Sequence, residues 1–237
     1  MNQLILLPKD QFKKNKQIYI LNSTDPRYLH IKNHLKLTQD RTLKMALLNE
    51  GLAQGKLIKL SDKNLLIEIN SALLKNPTRP YREAIIGLGR PRQMLKILEW
   101  GTQLGINKFQ IIKCQLSEKS YMSSPLLTAQ NINETLIKAL AQSAYYYSLP
   151  EVEIKKYFPR AWKENCQKVA LDPICGIEQN ELSMFRENDL QFLMGPERGF
   201  TDEERKKIKL YDFQFIKLGP AILKSEVAFN FFLGKLS

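Results

Sequence analysis

Two stretches near the C-terminus limit what this chain can fold into more than any other feature of its 237 residues. In the first, the apolar run Gln191-Phe192-Leu193-Met194 enters Gly195-Pro196-Glu197-Arg198-Gly199-Phe200, and Thr201-Asp202-Glu203-Glu204 follows with the spacing of a helix capping box. In the second, Phe213 to Lys217 enters Leu218-Gly219-Pro220-Ala221-Ile222-Leu223-Lys224-Ser225-Glu226. Each spells strand, glycine loop, helix. Glycine lets backbone approach a ligand closely, and a helix start offers unpaired N–H groups. Two such loops at the carboxyl ends of neighbouring strands form a crevice, which is where open α/β sheets bind ligands. Either loop alone is equally an ordinary turn; the pair points to a binding site.

The chain upstream supplies the sheet that such loops need. Ala84 to Leu88 predicts a strand, Met94, Ile97, Leu98, Gly101 and Leu104 share one helical face, Gly105 stops that helix, and Phe109 to Ile112 predicts the next strand. A βαβ unit of this kind implies parallel pairing. Gly87-Leu88-Gly89 lacks the third glycine of the dinucleotide fingerprint, because that position is Arg92, so a Rossmann reading is excluded. Ile132, Leu136, Leu140, Ser143 and Tyr147 describe a further helix, with Asn131 and Glu134 at cap positions and the run Tyr145-Tyr146-Tyr147 at its end. Lys168 to Leu171 predicts a strand that ends in Asp172-Pro173, and Val227 to Leu236 a final helix. Ser71 to Arg82, with Pro77 and Pro80 among polar residues, predicts a linker between a domain over residues 1–75 and another over residues 80–237. In the first domain, Gln17 to Leu21, Leu43 to Asn49, Leu52 to Leu60 and Leu65 to Ile69 predict short strands, and Pro26 to Leu35 a short helix. Short strands at this spacing suggest a small β-barrel.

Composition enters through charge. A formal net charge of +12 points to a polyanionic partner, and Lys13, Lys14, Lys16, Arg27, Lys32, Lys36, Arg41 and Lys44 concentrate it in the first domain, where together they can track phosphates. The sequence holds no long apolar span, and its apolar start is too short for a signal peptide and lacks a basic leader, so the expectation is a cytoplasmic protein without a membrane partner. Cys114, Cys166 and Cys175 are odd in number and without Cys-x-x-Cys spacing, which fits buried free thiols. His30 and His34 stand four apart with no third ligand in view, so no metal is expected.

At the two glycine loops the sequence resembles the RsmE-type 16S ribosomal RNA uridine-N3 methyltransferases of the SPOUT superfamily, as a divergent member. Met194 to Glu204 is similar to the family's Ile-Gly-Pro-Glu-Gly-Gly-Phe-Ser/Thr-x-x-Glu, and Leu218 to Ala228 to its Leu-Gly-x-Arg-Ile-Leu-Arg-x-Glu-Thr-Ala. Ser117-Glu118-Lys119-Ser120 and Gln142-Ser143 resemble two shorter family segments. The resemblance implies an α/β fold: a C-terminal, trefoil-knotted, mostly parallel sheet with helices on both faces, plus a small N-terminal PUA-like β-barrel for RNA docking. It further implies S-adenosylmethionine as cofactor, ribosomal RNA or the small subunit as partner, and a homodimer joined through the C-terminal helix.

The site implied by that likeness gathers Leu171, Asp172, Leu193, Met194, Gly195, Pro196, Glu197, Gly199, Leu218, Gly219, Ile222 and Leu223 around the cofactor. Backbone groups of Met194, Leu218 and Leu223 would take the adenine and ribose, and Leu193, Ile222 and Leu223 would wall water out. Methylation at N3 removes a proton from the base, so a fixed cation favours it. Lys224, in place of the second arginine of the motif, and Glu226 are the catalytic candidates, with the choice of base open. Arg27, Lys32, Arg90, Arg92, Lys119 and Arg198 are the candidate RNA contacts. The chain departs from the pattern at Arg198, where glycine is usual, and at Ala221, Val227, Trp100, Gln103, Ala141 and Tyr145. These departures leave two alternatives: a target at another RNA position, or an RNA-binding or ribosome-assembly protein without transfer activity.

Overall fold

The computed structural model describes residues 2–159, 162–178 and 182–236. They fall into two units, one running to Pro77 and taking in Ile137–Leu149, the other covering Thr78–Leu136 and the chain from Pro150 onward.

In the N-terminal unit, β1 (Leu4–Leu6), β2 (Ile18–Asn22), β3 (Thr42–Leu47), β4 (Gly51–Leu60) and β5 (Asn64–Ile69) form a sheet in the order β1-β3-β4-β5-β2. Its pairings are antiparallel except the short β1 on β3. The alternation of apolar and polar residues puts Met45, Leu57, Leu65, Ile67, Tyr19 and Leu21 on one buried face. Helix α1 (Pro26–Leu29) starts at Asp25, whose carboxylate accepts the Arg27 N–H, and runs on through a wider π turn, His30–Leu35, until Lys36 takes a left-handed conformation. Tyr28 and Ile31 from this segment close over the same core.

Arg27 ties this unit together. Its Nε donates to Asp25, Nη1 to the Ile5 carbonyl and to Asp10, and Nη2 to Asp10 and Asp25, at 2.6–3.0 Å. All five N–H donors of the guanidinium are therefore in use. Burial alone would lower the Arg27 pKa, but the bonds to Asp25 and Asp10 outweigh it and raise it. Burial likewise raises the Asp25 pKa, yet the Arg27 side chain and backbone pull it below the ordinary carboxylate value. A carboxyl whose folded-state pKa is depressed adds stability that is present above the unfolded value, about 3.9, and lost as pH falls through the folded one. Amide exchange protection in β2–β5 is therefore expected to hold steady from pH 7 to about 5 and to fall below about pH 4.

Helix α3 (Ala129–Ser143) begins earlier than the apolar spacing suggests, and Asn131 and Glu134 lie inside it rather than at its cap. It ends at Ser143 because Ala144 turns left-handed at φ 52, so Tyr145–Tyr147 are not helical. Residues 137–149 belong with the N-terminal unit for a local reason. Gln3 Nε2 donates to the Leu140 and Tyr146 carbonyls, and Ile5 and Ala46 pack on Leu140 and Ala141.

In the C-terminal unit, β6 (Arg82–Gly87), β7 (Lys108–Ile112), β8 (Glu151–Lys155), β9 (Gln167–Leu171), β10 (Ile177–Glu178), β11 (Leu190–Met194) and β12 (Gln214–Lys217) make a seven-stranded sheet ordered β10-β12-β9-β11-β6-β7-β8. All its pairings are parallel. β6 and β11 are buried along their whole length, as central strands covered on both faces must be. On one face Ile85, Ala170, Leu193 and Phe215 pack against Phe200 and Ile208, the latter from α4 (Asp202–Leu210). On the other face Phe192 packs at a tilt against Phe229 and Phe232 of α5 (Ser225–Leu236), with ring centroids 5.8 and 5.0 Å away. Gly101 of α2 (Pro91–Gln103) has no room for a Cβ, which would lie 2.6 Å from the Phe109 ring and 2.8 Å from that of Phe229. Among the described residues no helix is long and apolar enough to cross a membrane. The thiols are free as expected, but only Cys114 is buried; Cys166 and Cys175 are partly exposed.

Candidate functional site

The chain leaves β11 through Gly195, leaves β12 through Leu218, and leaves β9 through Asp172, and these exits lie side by side because β12, β9 and β11 are neighbours in the sheet. Together they bound a cleft of about 660 Å³, a volume that includes space open to solvent. It opens where the strand order breaks from chain order, at the carboxyl ends of the strands.

The β11 exit is shaped by contact too close for side chains. A Cβ on Gly87 would sit 2.4 Å from Pro196 Cδ and 2.5 Å from its nitrogen, and one on Gly195 would sit 3.1 Å from the Gly199 backbone. Gly199, at φ 73, closes the turn by donating its N–H to the Pro196 carbonyl. Glu197 reaches from this turn to the start of α2, where Oε1 accepts the Arg90 N–H at 2.9 Å, a favourable place for a carboxylate. The capping box forms as the spacing predicts: Thr201 Oγ1 accepts the Glu204 N–H, and Glu204 accepts the Thr201 N–H. Glu204 also accepts the Gln115 N–H at 2.8 Å, fixing the loop after β7 to α4.

Of the residues singled out for the cofactor, Leu171, Asp172, Met194, Gly195, Pro196, Glu197, Gly199, Leu218, Gly219, Ile222 and Leu223 line this cleft. Leu193 does not. It precedes Met194 on a strand, so it faces the opposite side of the sheet and is fully buried in the core with Ile85 and Phe215. Lys217 and Ser225 also line the cleft and were missed. Lys217 is the last residue of its strand, and the signal that could have found it is position alone.

Lys224 and Glu226 follow the lining residue Leu223 but do not line the cleft themselves. Lys224 is exposed. Glu226 is half-buried; its Oε1 lies 3.4 Å from Gln93 Nε2 of α2, and its Oε2 has no hydrogen-bond partner among the described residues.

The candidate RNA contacts separate. Arg27 is corrected: its donors are consumed inside the N-terminal unit, leaving none for a phosphate. Lys32 pairs with Asp62 at 2.8 Å on an open surface, a contact weak enough to exchange for another anion. Arg90, Arg92, Lys119 and Arg198 are exposed. Arg198, where the resemblance expects glycine, is exposed and does not line the cleft. The rings of His30 and His34 lie tilted with centroids 5.3 Å apart, and burial lowers the His30 pKa.

Residues 79–237 match the family model described as an RNA methyltransferase domain. Over 218 residues the chain is 26% identical to the ribosomal RNA small subunit methyltransferase E of Treponema pallidum, covering 88% of this chain and 81% of that protein. It is also 26% identical to ribosomal RNA small subunit methyltransferase E 1 of Borreliella burgdorferi, over 95% of this chain and 93% of that protein. A crystal structure of the Neisseria gonorrhoeae ribosomal RNA small subunit methyltransferase E bound to S-adenosyl methionine superposes with a TM-score of 0.76 at 17% identity, covering 99% of this chain and 95% of that one. A Legionella pneumophila methyltransferase in complex with the same cofactor also gives 0.76, at 19% identity, over 100% and 97%. At these identities the structures share the fold.

Proposed function

Because this chain belongs to the RNA methyltransferase domain family, we propose that it transfers a methyl group from S-adenosylmethionine to N3 of a uridine in the 16S ribosomal RNA of the small subunit. The observation that carries this reading is the convergence of the β9, β11 and β12 exits on one cleft. The residues present fit the cofactor. The cradle around Gly87, Gly195 and Gly199 holds backbone where any Cβ would intrude or strain, and Ile222 and Leu223 supply apolar walls.

When bound, S-adenosylmethionine supplies a methyl group made electrophilic by its sulfonium charge. The chain's own part is to hold, dry and polarise. Met194, Leu218 and Leu223 line the cleft, and in this reading their backbone groups take the adenine and ribose, while Ile222, 84% exposed, has apolar surface to gain from being covered. Lys224, exposed beside Leu223, supplies the positive charge that stabilises a uridine deprotonated at N3. Glu226, half-buried beside Gln93, orients that group or accepts the proton in this reading. Arg90, Arg92, Lys119 and Arg198 supply phosphate contacts. Lys224→Ala is expected to lower kcat by about 10²–10³-fold while the cofactor Kd stays within about threefold, read by labelled-methyl transfer and calorimetry.

The finer architecture belongs to the same proposal. Strands out of chain order at β12-β9-β11-β6 support a trefoil-knotted sheet, and the five-stranded N-terminal sheet supports a PUA-like barrel that docks RNA. Val227, Phe231 and Leu104 expose apolar surface on α5 and after α2, which supports a homodimer; sedimentation as a monomer would contradict it. The activity is assigned to the cytoplasm, where small subunits are made.

A further inference from the structure

We propose that Arg205 is a positioning residue for the cofactor, holding the turn after β9 and the turn before α4 in register across the cleft. This rests on reading the cleft as the S-adenosylmethionine site. Asp172 ends β9, lines the cleft and is 2% exposed. Its Oδ1 accepts the N–H groups of Ile174 at 2.7 Å and Cys175 at 3.0 Å, and its carbonyl accepts that of Gly176, so the carboxylate folds the turn on itself. Its Oδ2 accepts Arg205 Nε at 2.9 Å.

Arg205 stands in the first turns of α4 with its side chain 11% exposed, and its Nη1 donates to Asp202 at 2.9 Å. Nη2 lies against the Gly199 turn, 3.9 Å from where a Cβ of Gly199 would be. One guanidinium therefore bonds the turn after β9 and the first turn of α4, and faces the Gly199 turn, without lining the cleft.

The direction in which the Asp172 turn can relax follows from Gly176. A Cβ there would lie 2.3 Å from the Ile216 carbonyl carbon and 2.5 Å from Lys217 N, so backbone is packed on backbone against β12 and nothing can give on that side. Released from Arg205, the turn can shift into the space the guanidinium leaves or into the cleft, and either movement displaces the Asp172 wall. A buried carboxylate short of its cation also drives such a shift. The larger consequence falls on cofactor binding because, of the exposed cations assigned to RNA, only Arg198 lies on a turn that Arg205 holds, while Arg90, Arg92 and Lys119 lie on other segments.

The test compares full-length wild type, Arg205→Met and Arg205→Lys by calorimetry with S-adenosylmethionine and by steady-state methyl transfer, with Tm recorded for each. The expected result for Arg205→Met is a Kd and KM for the cofactor raised roughly tenfold or more, with kcat at saturating cofactor and KM for RNA within about threefold of wild type. Arg205→Lys, which keeps the charge but spans one carboxylate, should fall between them. Asp172→Asn added to Arg205→Met should change the cofactor Kd by no more than about twofold. Unchanged cofactor Kd in a folded Arg205→Met or Arg205→Lys, or a fall in kcat alone, overturns the proposal while leaving the cleft assignment intact. Failure of wild type to bind S-adenosylmethionine overturns both.

Discussion

Replacing Gly87 with alanine should abolish methyl transfer while leaving the protein folded. The new Cβ would meet Pro196 Cδ at 2.4 Å, Pro196 N at 2.5 Å and the Gly195 carbonyl carbon at 2.8 Å, all of them backbone or ring atoms that cannot swing aside. To restore ordinary contact the β11 exit must retreat by about 1 Å, and displacements of that size at a binding site cost about 10²-fold. Overpacking should cost the fold only about 1–3 kcal/mol, so circular dichroism would still report a folded protein while calorimetry shows cofactor affinity lowered about 100-fold or more. Gly234→Ala is the matched control, because a Cβ there meets nothing within 4 Å. Equal loss of affinity in both variants would mean that the Gly195–Gly199 turn does not hold the cofactor.

The second large effect lies in stability. Arg27→Met should destabilise the N-terminal unit by about 3–5 kcal/mol, since it strands Asp10 and Asp25, whose side chains are 6% and 21% exposed, without their cation. Lys32→Met, which breaks an ion pair whose Asp62 partner is 97% exposed, should leave stability essentially unchanged. Both Trp100 and Trp162 belong to the C-terminal unit, so amide exchange in β2–β5 is the readout, not tryptophan fluorescence. If the two variants lose protection equally, Arg27 is a surface cation after all.

That contrast shows where sequence reasoning stops. Arg27 and Lys32 are both basic residues in a basic segment, and only the fold reveals that Asp10, seventeen positions earlier, stands against one of them. The parallel sheet was legible because buried strands carry short apolar stretches, Ala84-Ile85-Ile86 in β6, Ile111-Ile112 in β7, Val169-Ala170-Leu171 in β9, Phe192-Leu193-Met194 in β11 and Phe215-Ile216 in β12. Strand β8 was not, because Glu-Val-Glu-Ile-Lys on the sheet edge carries Glu151 and Glu153 as partners for Lys108 rather than a core face. β1 and β10, at three and two residues, are too short to leave a pattern.

The cleft was legible because its loops carry glycines, a capping box and motif wording, all local in sequence. Leu193 was misplaced through neglect of strand alternation, which sets it opposite Met194. Ala144 ended α3 without the glycine that usually marks such a stop, so the tyrosine run was drawn into a helix it does not join.

The most direct measurement incubates purified wild-type protein with labelled S-adenosylmethionine and small ribosomal subunits lacking the modification, then digests the RNA and identifies the labelled nucleoside. The account predicts label in N3-methyluridine, and none with Gly87→Ala. Absence of both cofactor binding and label would contradict it, and label in any other nucleoside would contradict the assignment of the target.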